Sequence, residues 1–403
     1  DGVATNRVVG RPLRGARVIT MSDLKTKLVL LLGVALSVIV LYGFLYLERE
    51  WEIGVLLVMV PLGVYFLKRA NALTYYQHAA REMPRFTWIS FVLGAVVLIM
   101  LLRHDDFALL MLTTVLLYAT VSLGLTIQFG FVGVVNFSAV AFFGIGAYSM
   151  AALNQHFVFL PDLLIIFFSG AISALLGALL ILPILRTRGH YAALITIAFG
   201  ILFRTFLEVN DVLGGPQGLK VPALEMFGWN FGNSFPSEMG GGSFYVAYAI
   251  VALVLVAIVY LITRLIESSW LGLNMDSVRL DEVASAAFGI NGPRWKIAAF
   301  MLGNCFAGLA GAVYAAMYGF IAPANFNLSD SLLLVSIVLL GGIGNAVAVI
   351  PAAFLIVVLP EKFQVIQEYR LLLFGIVVIL ILRFRPSGLM PRGLRQYFAG
   401  RFG

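Results

Sequence analysis

Apolar residues in this chain run on without interruption for stretches about as long as a bilayer is thick, and few folds can hold such stretches. They cover 27–47, 51–67, 86–102, 107–127, 131–153, 162–185, 190–209, 244–264, 297–320, 331–344, 347–360 and 371–384. A helix needs ~20 apolar residues to cross a ~30 Å hydrocarbon core. Lipid offers the backbone no hydrogen-bond partners, so only helices or a closed barrel can cross it. Barrel strands are short and alternate polar with apolar residues, whereas these runs are apolar on every side. Hydrophobic residues make up 61% of the chain and charged ones 12%, against roughly 45–50% and 25% in soluble domains. The expected fold is an all-α polytopic membrane protein with about 10–12 transmembrane or re-entrant helices.

Charge placement orients these helices. With the N-terminus in the cytoplasm, the outer segments keep only Arg49, Arg103, Lys220, Lys362 and Arg370. The basic clusters Arg7–Arg17, Lys68–Arg69, Arg186–Arg188 and Arg383–Arg401 all fall inside. The positive-inside rule then puts both termini in the cytoplasm, with residues 265–296 inside and the loop 210–243 outside. The net charge of +7 follows from this asymmetry and needs no nucleic-acid partner. The first run, Lys27–Leu47, spans by itself and is followed by no small-residue cleavage site, so no removable signal is expected. Residues 1–26 read as a basic, disordered lead and 27–85 as an extra hairpin with a cytoplasmic connector. Residues 86–391 read as the membrane core and 392–403 as a basic tail.

One polar island, Arg264–Lys296, lies between two long apolar runs. Val278, Val283, Ala284, Ala287 and Phe288 fall on one rough face at helical spacing, with Arg279, Asp281 and Glu282 mostly off it. Gly289 is a natural helix stop. Such an element either lies on lipid headgroups or fits a groove in a soluble partner and passes motion into the membrane.

Several spans are imperfect. The runs 331–344 and 347–360 are short for full crossings, and Gly341-Gly342-Ile343-Gly344-Asn345 separates them. Glycines with Asn136 and Ser138 open the span near Gly130–Ser138, and the stretch from Gly189 through Thr196 to Gly200 has the same character. Irregular backbone at membrane depth survives only where protein buries it or a cavity solvates it, and broken helices mark transport pathways. Asn136, Ser138, Thr196, Gly341, Gly342 and Gly344 are therefore the candidate path. Their uncharged polar groups and freed backbone suit the ends of a small, partly apolar zwitterion. Arg204 and Glu208, four apart near the outer end of a span, can pair or snorkel to the interface. Gly303, Ala307, Gly311, Ala315 and Gly319 form a small-residue ridge, either an intrachain contact or a seam with a second membrane subunit. The glycine-rich loop 210–243 reads as a flexible connector or as a landing surface for an extracytoplasmic protein.

Catalytic chemistry is hard to find. No glycine is followed by lysine, so there is no Walker A loop, and any ATP must be hydrolysed by another chain. His104-Asp105-Asp106 reads as a solvated turn without a second ligand cluster. His78, His104, His156 and His190 are scattered, and Cys305 reads as a small buried hydrophobe. No metal or cofactor is expected in this chain. An ion-coupled secondary transporter, the rival reading, would carry acidic groups at mid-membrane, and the acids here sit at span ends.

From about Thr114 to Pro391 the chain resembles the LivM-type permeases of the high-affinity branched-chain amino acid ABC importers. The marks are Gly130-Phe131-Val132-Gly133, Asn136-Phe137-Ser138, Phe142–Tyr148, Arg188–Thr196 and Gly214-Gly215-Pro216-Gln217-Gly218. Arg279, Asp281, Glu282, Ala284 and Gly289-Ile290-Asn291 follow, then Ala307–Gly311, Gly341-Gly342-Ile343-Gly344 and Arg383–Leu389. The chain departs from the family at Leu273, where a basic residue is usual, and at Leu280, where a polar one is. The resemblance implies a permease subunit that pairs with an H-type permease in the bacterial inner membrane. Two ATPase subunits, which would hold the ATP and Mg, would dock on its cytoplasmic loop. An extracytoplasmic binding protein would deliver leucine, isoleucine or valine. Urea and short-amide permeases of the same family are the alternative. It assigns ATPase coupling to Arg279, Asp281, Glu282, Ala284 and Gly289.

Overall fold

A computed structural model describes residues 23–47, 49–157, 159–187, 191–226, 228–234, 241–363, 369, 372, 375–376, 379, 383 and 388–390. The lead 1–22, the tail from 391 on, Arg188, Gly189, His190 and most of the 371–384 run lie outside the described residues. Helices follow the apolar runs in order: α1 (Asp23–Tyr46), α2 (Glu50–Arg69), α3 (Ala72–Glu82) and α4 (Pro84–Leu101). Then come α5 (Asp106–Leu125), a π-helix (Thr126–Val132), α6 (Ala139–His156), α7 (Asp162–Leu185) and α8 (Tyr191–Val209). After the long loop follow α9 (Tyr245–Ser268), α10 (Trp270–Leu280), α11 (Glu282–Ala287), α12 (Gly292–Tyr318), α13 (Leu328–Gly341) and α14 (Ala346–Lys362). Among the described residues, nine helical segments are long and apolar enough to cross a bilayer. α6, whose last turn carries Asn154, Gln155 and His156, and the 17-residue α14 fall short of that standard. The protein is an all-α polytopic membrane protein.

Two boundaries differ from the sequence reading. The chain does not break between 127 and 131. α5 runs on through the π-helix to Val132 as one 27-residue rod, and the break falls at Gly133–Ser138. Extended backbone there satisfies itself through Asn136, whose Oδ1 accepts from Ser138 N at 2.9 Å and Ser138 Oγ at 2.7 Å. α13 also starts earlier than expected. A 3₁₀ turn at Pro323–Asn325 leads into it, so Pro323–Gly341 forms one candidate crossing of 19 residues. The glycines 341–344 then make the turn into α14, which Asn345 caps by accepting from Val347 N at 3.1 Å.

α12 is the hub, packed between α6 and α7 and against α5. Small residues allow this. A Cβ added at Gly311 would overlap the Phe143 carbonyl oxygen, and one at Gly308 would overlap the Ser173 side chain. α5 is apolar on every side and correspondingly buried. α1 and α4 pack at the periphery, and α2 and α8 are largely exposed. Lys362, expected in an outer turn, is instead 8% exposed. Its ammonium donates to Leu45 O at 2.6 Å and Leu47 O at 3.0 Å, and it lies 5.6 Å from the centre of the Phe107 ring. A cation at the carbonyl end of α1 is favoured by the helix dipole, so this contact ties the N-terminal hairpin to the core.

The 210–243 loop, expected to be a loose connector or a landing surface, is an ordered cap wherever it is described. Strand β1 (Leu219–Lys220) pairs antiparallel with β4 (Phe320–Ile321), and β2 (Glu225–Met226) with β3 (Trp229–Asn230). Leu224 is wholly buried, and Tyr248 Oη accepts from its N–H at 3.2 Å while donating to Ala316 O at 3.0 Å. Turn glycines disguised this order in the sequence, because short paired strands leave little periodicity. Arg204 pairs with Glu208 at 2.8 Å and also donates to Asn327, so it ties α8 to the α12–α13 connection rather than only snorkelling.

Candidate translocation and coupling site

Four chain segments far apart in sequence meet at the end of the bundle that carries the polar island. The first is the broken end of α5. A cluster of amides holds it in place. Gln128 Nε2 donates to Phe300 O and Asn304 Oδ1, both at 3.0 Å. Asn136 Nδ2 donates to Gln128 Oε1 at 2.9 Å and Asn304 Oδ1 at 3.1 Å. Gln128, Asn136 and Asn304 are each 1% exposed. Asn304 sits near the middle of the 27-residue α12, and its Nδ2 faces Gly177 without a partner. Each such bond is worth about 0.5–1.5 kcal/mol net, whereas an unmet buried amide costs about 1–3 kcal/mol. The cluster therefore holds the break by mutual satisfaction with one donor in reserve.

The second segment is α8. Thr196 is fully buried, accepts from Phe137 N at 3.1 Å and donates to Ala193 O at 2.8 Å. Ser331 of α13 accepts from Val140 N at 3.1 Å and secures the start of α6. The third segment is the turn after α13. A Cβ added at Gly130 would lie 2.5 Å from Gly344 Cα and 2.6 Å from Gly344 N, so the π-helical end of α5 and the α13–α14 turn touch backbone to backbone. Leu389 N and Met390 N reach the carbonyls of Leu340 and Gly341, which closes the far side of that turn. Asn136, Ser138 and Thr196 are thus brought together, whereas Gly344 meets the π-helical end of α5 at Gly130, and Gly341 and Gly342 open that same turn. Beside Asn136 a crevice of about 10 Å³, lined by Leu125, Phe129, Val135, Asn136, Val335 and Val338, has room for at most about one water.

The fourth segment is the polar island, and here the sequence reading needs correction. No single amphipathic helix spans 278–288. Asp281 is extended (φ −156°, ψ 108°) and separates α10 from α11. Its carboxylate accepts from Val283 N and Ala284 N, both at 2.9 Å, as an N-cap. The proposed apolar face is therefore split: Val278 is buried against the bundle, whereas Val283 and Phe288 are 81% and 87% exposed. Gly289 (φ +81°) ends α11 in the left-handed conformation, with its N–H on Ala286 O and that of Ile290 on Ser285 O, both at 3.0 Å. Glu282 pairs with Lys296 of α12 at 2.5 Å, and Ala284 is exposed. Arg279 points the other way, into the bundle, and donates to Gly130 O at 2.7 Å. Beside α11 a groove of about 460 Å³ is lined by Asn274, Gly289, Ile290, Asn291, Arg294, Trp295 and Ala298.

The small-residue ridge lies wholly within the chain where it is buried. Gly303 meets Gln128 and the Gly124 carbonyl, Gly311 meets α6, and Ala307 and Ala315 are buried. Gly319 is not part of this packing face. It is the left-handed cap of α12 (φ +68°), 3.8 Å from the nearest atom a Cβ would meet. Gln128 and Asn304 went unnoticed in the sequence, although an amide inside an apolar run is the signal that would have found them.

Residues 107–382 match the family of branched-chain amino acid transport system permease components. The high-affinity branched-chain amino acid transport system permease protein LivM of Salmonella typhimurium is 35% identical over 294 residues, covering 69% of each chain. LivM of Escherichia coli matches at the same identity and coverage. The permease protein LivH of Salmonella typhimurium is 24% identical over 68% of this chain and 91% of its own length. No solved structure matches. These relatives are transport permease subunits, and the chain belongs to the branched-chain amino acid transport system permease family.

Proposed function

We propose that this chain translocates leucine, isoleucine or valine as one permease of an ATP-driven importer in a bacterial inner membrane. Its similarity to two LivM permeases over 69% of its length carries this reading. The weaker similarity to LivH supports a heterodimer of two related permeases, this chain and an H-type partner. The termini and residues 265–296 face the cytoplasm, in keeping with the basic clusters on that side. There two ATPase subunits, which hold ATP and Mg, dock against α11. Exposed Leu280, Val283, Ala284 and Phe288 supply the contact. Asp281 and Gly289 shape its two ends, and the Glu282–Lys296 pair fixes it to α12. At the other end, the strand-paired part of the 210–243 loop offers the surface for the extracytoplasmic binding protein.

Cargo passes along the broken segments. The crevice at Asn136 has apolar walls for a branched side chain, and the break at Gly133–Ser138, which supplies Val135 and Asn136 to its lining, offers backbone groups for the charged ends. ATP acts by favouring one arrangement of these breaks through differential contacts at α11. Accumulation of labelled leucine by cells with and without the chain tests this reading, with ATP maintained and the proton gradient collapsed. Chain-dependent accumulation is expected. Accumulation of urea or short amides in place of leucine would overturn the cargo, and dependence on the gradient would overturn the ATP-driven mechanism.

A further inference from the structure

We propose that Arg279 is a transmission residue that carries movement of the cytoplasmic loop directly onto the broken end of α5, and that it takes no part in docking the ATPase. This rests on the permease reading above.

Three observations support it. Arg279 lies in the last turn of α10, immediately before the Asp281 hinge where exposed α11 begins. A push on α11 reaches Arg279's own turn through that hinge, and α12 through the Glu282–Lys296 pair. Its guanidinium then leaves the loop surface and donates to Gly130 O at 2.7 Å, 149 residues away. That carbonyl is available because the helix ends there. The last carbonyls of a helix have no partners within it, and a cation at this end is favoured by the dipole. The neighbouring N–H groups of Gly133 and Val134 both go to Gln128 O instead. The stem of Arg279 rests on Gly133, where an added Cβ would lie 3.0 Å from Arg279 Cγ.

The contact also reaches further than one helix. Gly130 abuts the backbone of Gly344, so a displacement of Arg279 moves the α5 break and the α13–α14 turn together. Asp281 caps its own helix, and Glu282 turns to Lys296.

The test uses the full importer, with its partner permease, ATPases and binding protein, in liposomes. ATP hydrolysis, ATPase retention and uptake are measured per assembled complex. Arg279→Ala should retain the ATPases and their hydrolysis while uptake falls by about tenfold or more. Arg279→Lys should recover most of the uptake, because the native contact uses a single donor that an ammonium also supplies. Loss of the ATPases in Arg279→Ala would show docking instead and overturn the proposal. So would unchanged uptake per complex, or a lysine variant as defective as alanine. A wild-type complex that moves no amino acid would overturn the transport reading itself, which the Arg279 variants cannot do.

Discussion

Gly130 and Gly344 meet backbone to backbone, with 2.5 Å between the position of a Cβ on the first and the Cα of the second. Gly130 lies in the π-helical end of α5, just before its break, and Gly344 in the α13–α14 turn, and no side chain mediates between them. Gly130→Ala must therefore separate these two segments. Overpacking a close contact costs about 1–3 kcal/mol. Lower thermal stability and loss of uptake are expected together. Gly54→Ala is the matched control, because nothing lies within 4 Å of a Cβ there. Equal uptake by the two variants would show that these segments do not need to touch.

The Gln128, Asn136 and Asn304 amides form one unit, and their substitutions should not add. Asn304→Ala leaves one donor hydrogen of Gln128 and one of Asn136 without its acceptor, at about 1–3 kcal/mol. Asn136→Ala removes part of the same network, so the double variant should cost less than the sum, by about 0.5–3 kcal/mol. Unfolding of the purified subunit complex for the two single variants and the double variant measures this term. Strict additivity would mean that the amides act independently.

How much of this site the sequence revealed depended on whether its cause was local. The Gly289 stop, the Asn345 cap and the glycine-marked breaks rest on a few adjacent residues, and they stand where their residue types suggest. The split of the polar island was local too, since Asp281 followed by Glu282 is an N-terminal helix signature. It was masked by an apolar spacing that continues across it. The inward turn of Arg279 and the meeting of Gln128 with Asn304, 176 residues apart, depend on the packing of α5 against α10 and α12. No periodicity within one segment encodes them. The family resemblance placed Arg279 in the coupling loop, but its inward contact with Gly130 could not be read from the loop alone.

Gly311 and Gly319 share a four-residue spacing but are glycine for different reasons, and substitution should separate them. At Gly311 a side chain would overlap the Phe143 carbonyl, so Gly311→Ala must push α6 from α12 and should abolish a folded subunit. At Gly319 there is space, and the requirement is the left-handed backbone (φ +68°). Gly319→Ala should cost about 1–2 kcal/mol, and Gly319→Asn less, because asparagine adopts that conformation more readily. Membrane yield and thermal stability of the three variants check this. A Gly319→Asn variant as damaged as Gly311→Ala would place Gly319 in a packing contact after all.

Phe288 and Val283 distinguish docking from folding. They are 87% and 81% exposed, so they contribute little to the fold. Surface substitutions away from special features usually change stability by within about 0.5 kcal/mol. Phe288→Ser with Val283→Ser should therefore leave yield and melting unchanged. If α11 enters an ATPase groove, these two side chains are its apolar anchors, and such anchors carry about 2 kcal/mol or more each. Co-purification of the ATPases should then fall sharply, and leucine uptake with it. The defect differs from that of Arg279→Ala, in which the ATPases stay bound and only the coupling is lost. Full retention of the ATPases by the double serine variant would exclude α11 as their docking element and leave the groove at Asn274 and Trp295 as the surface to examine.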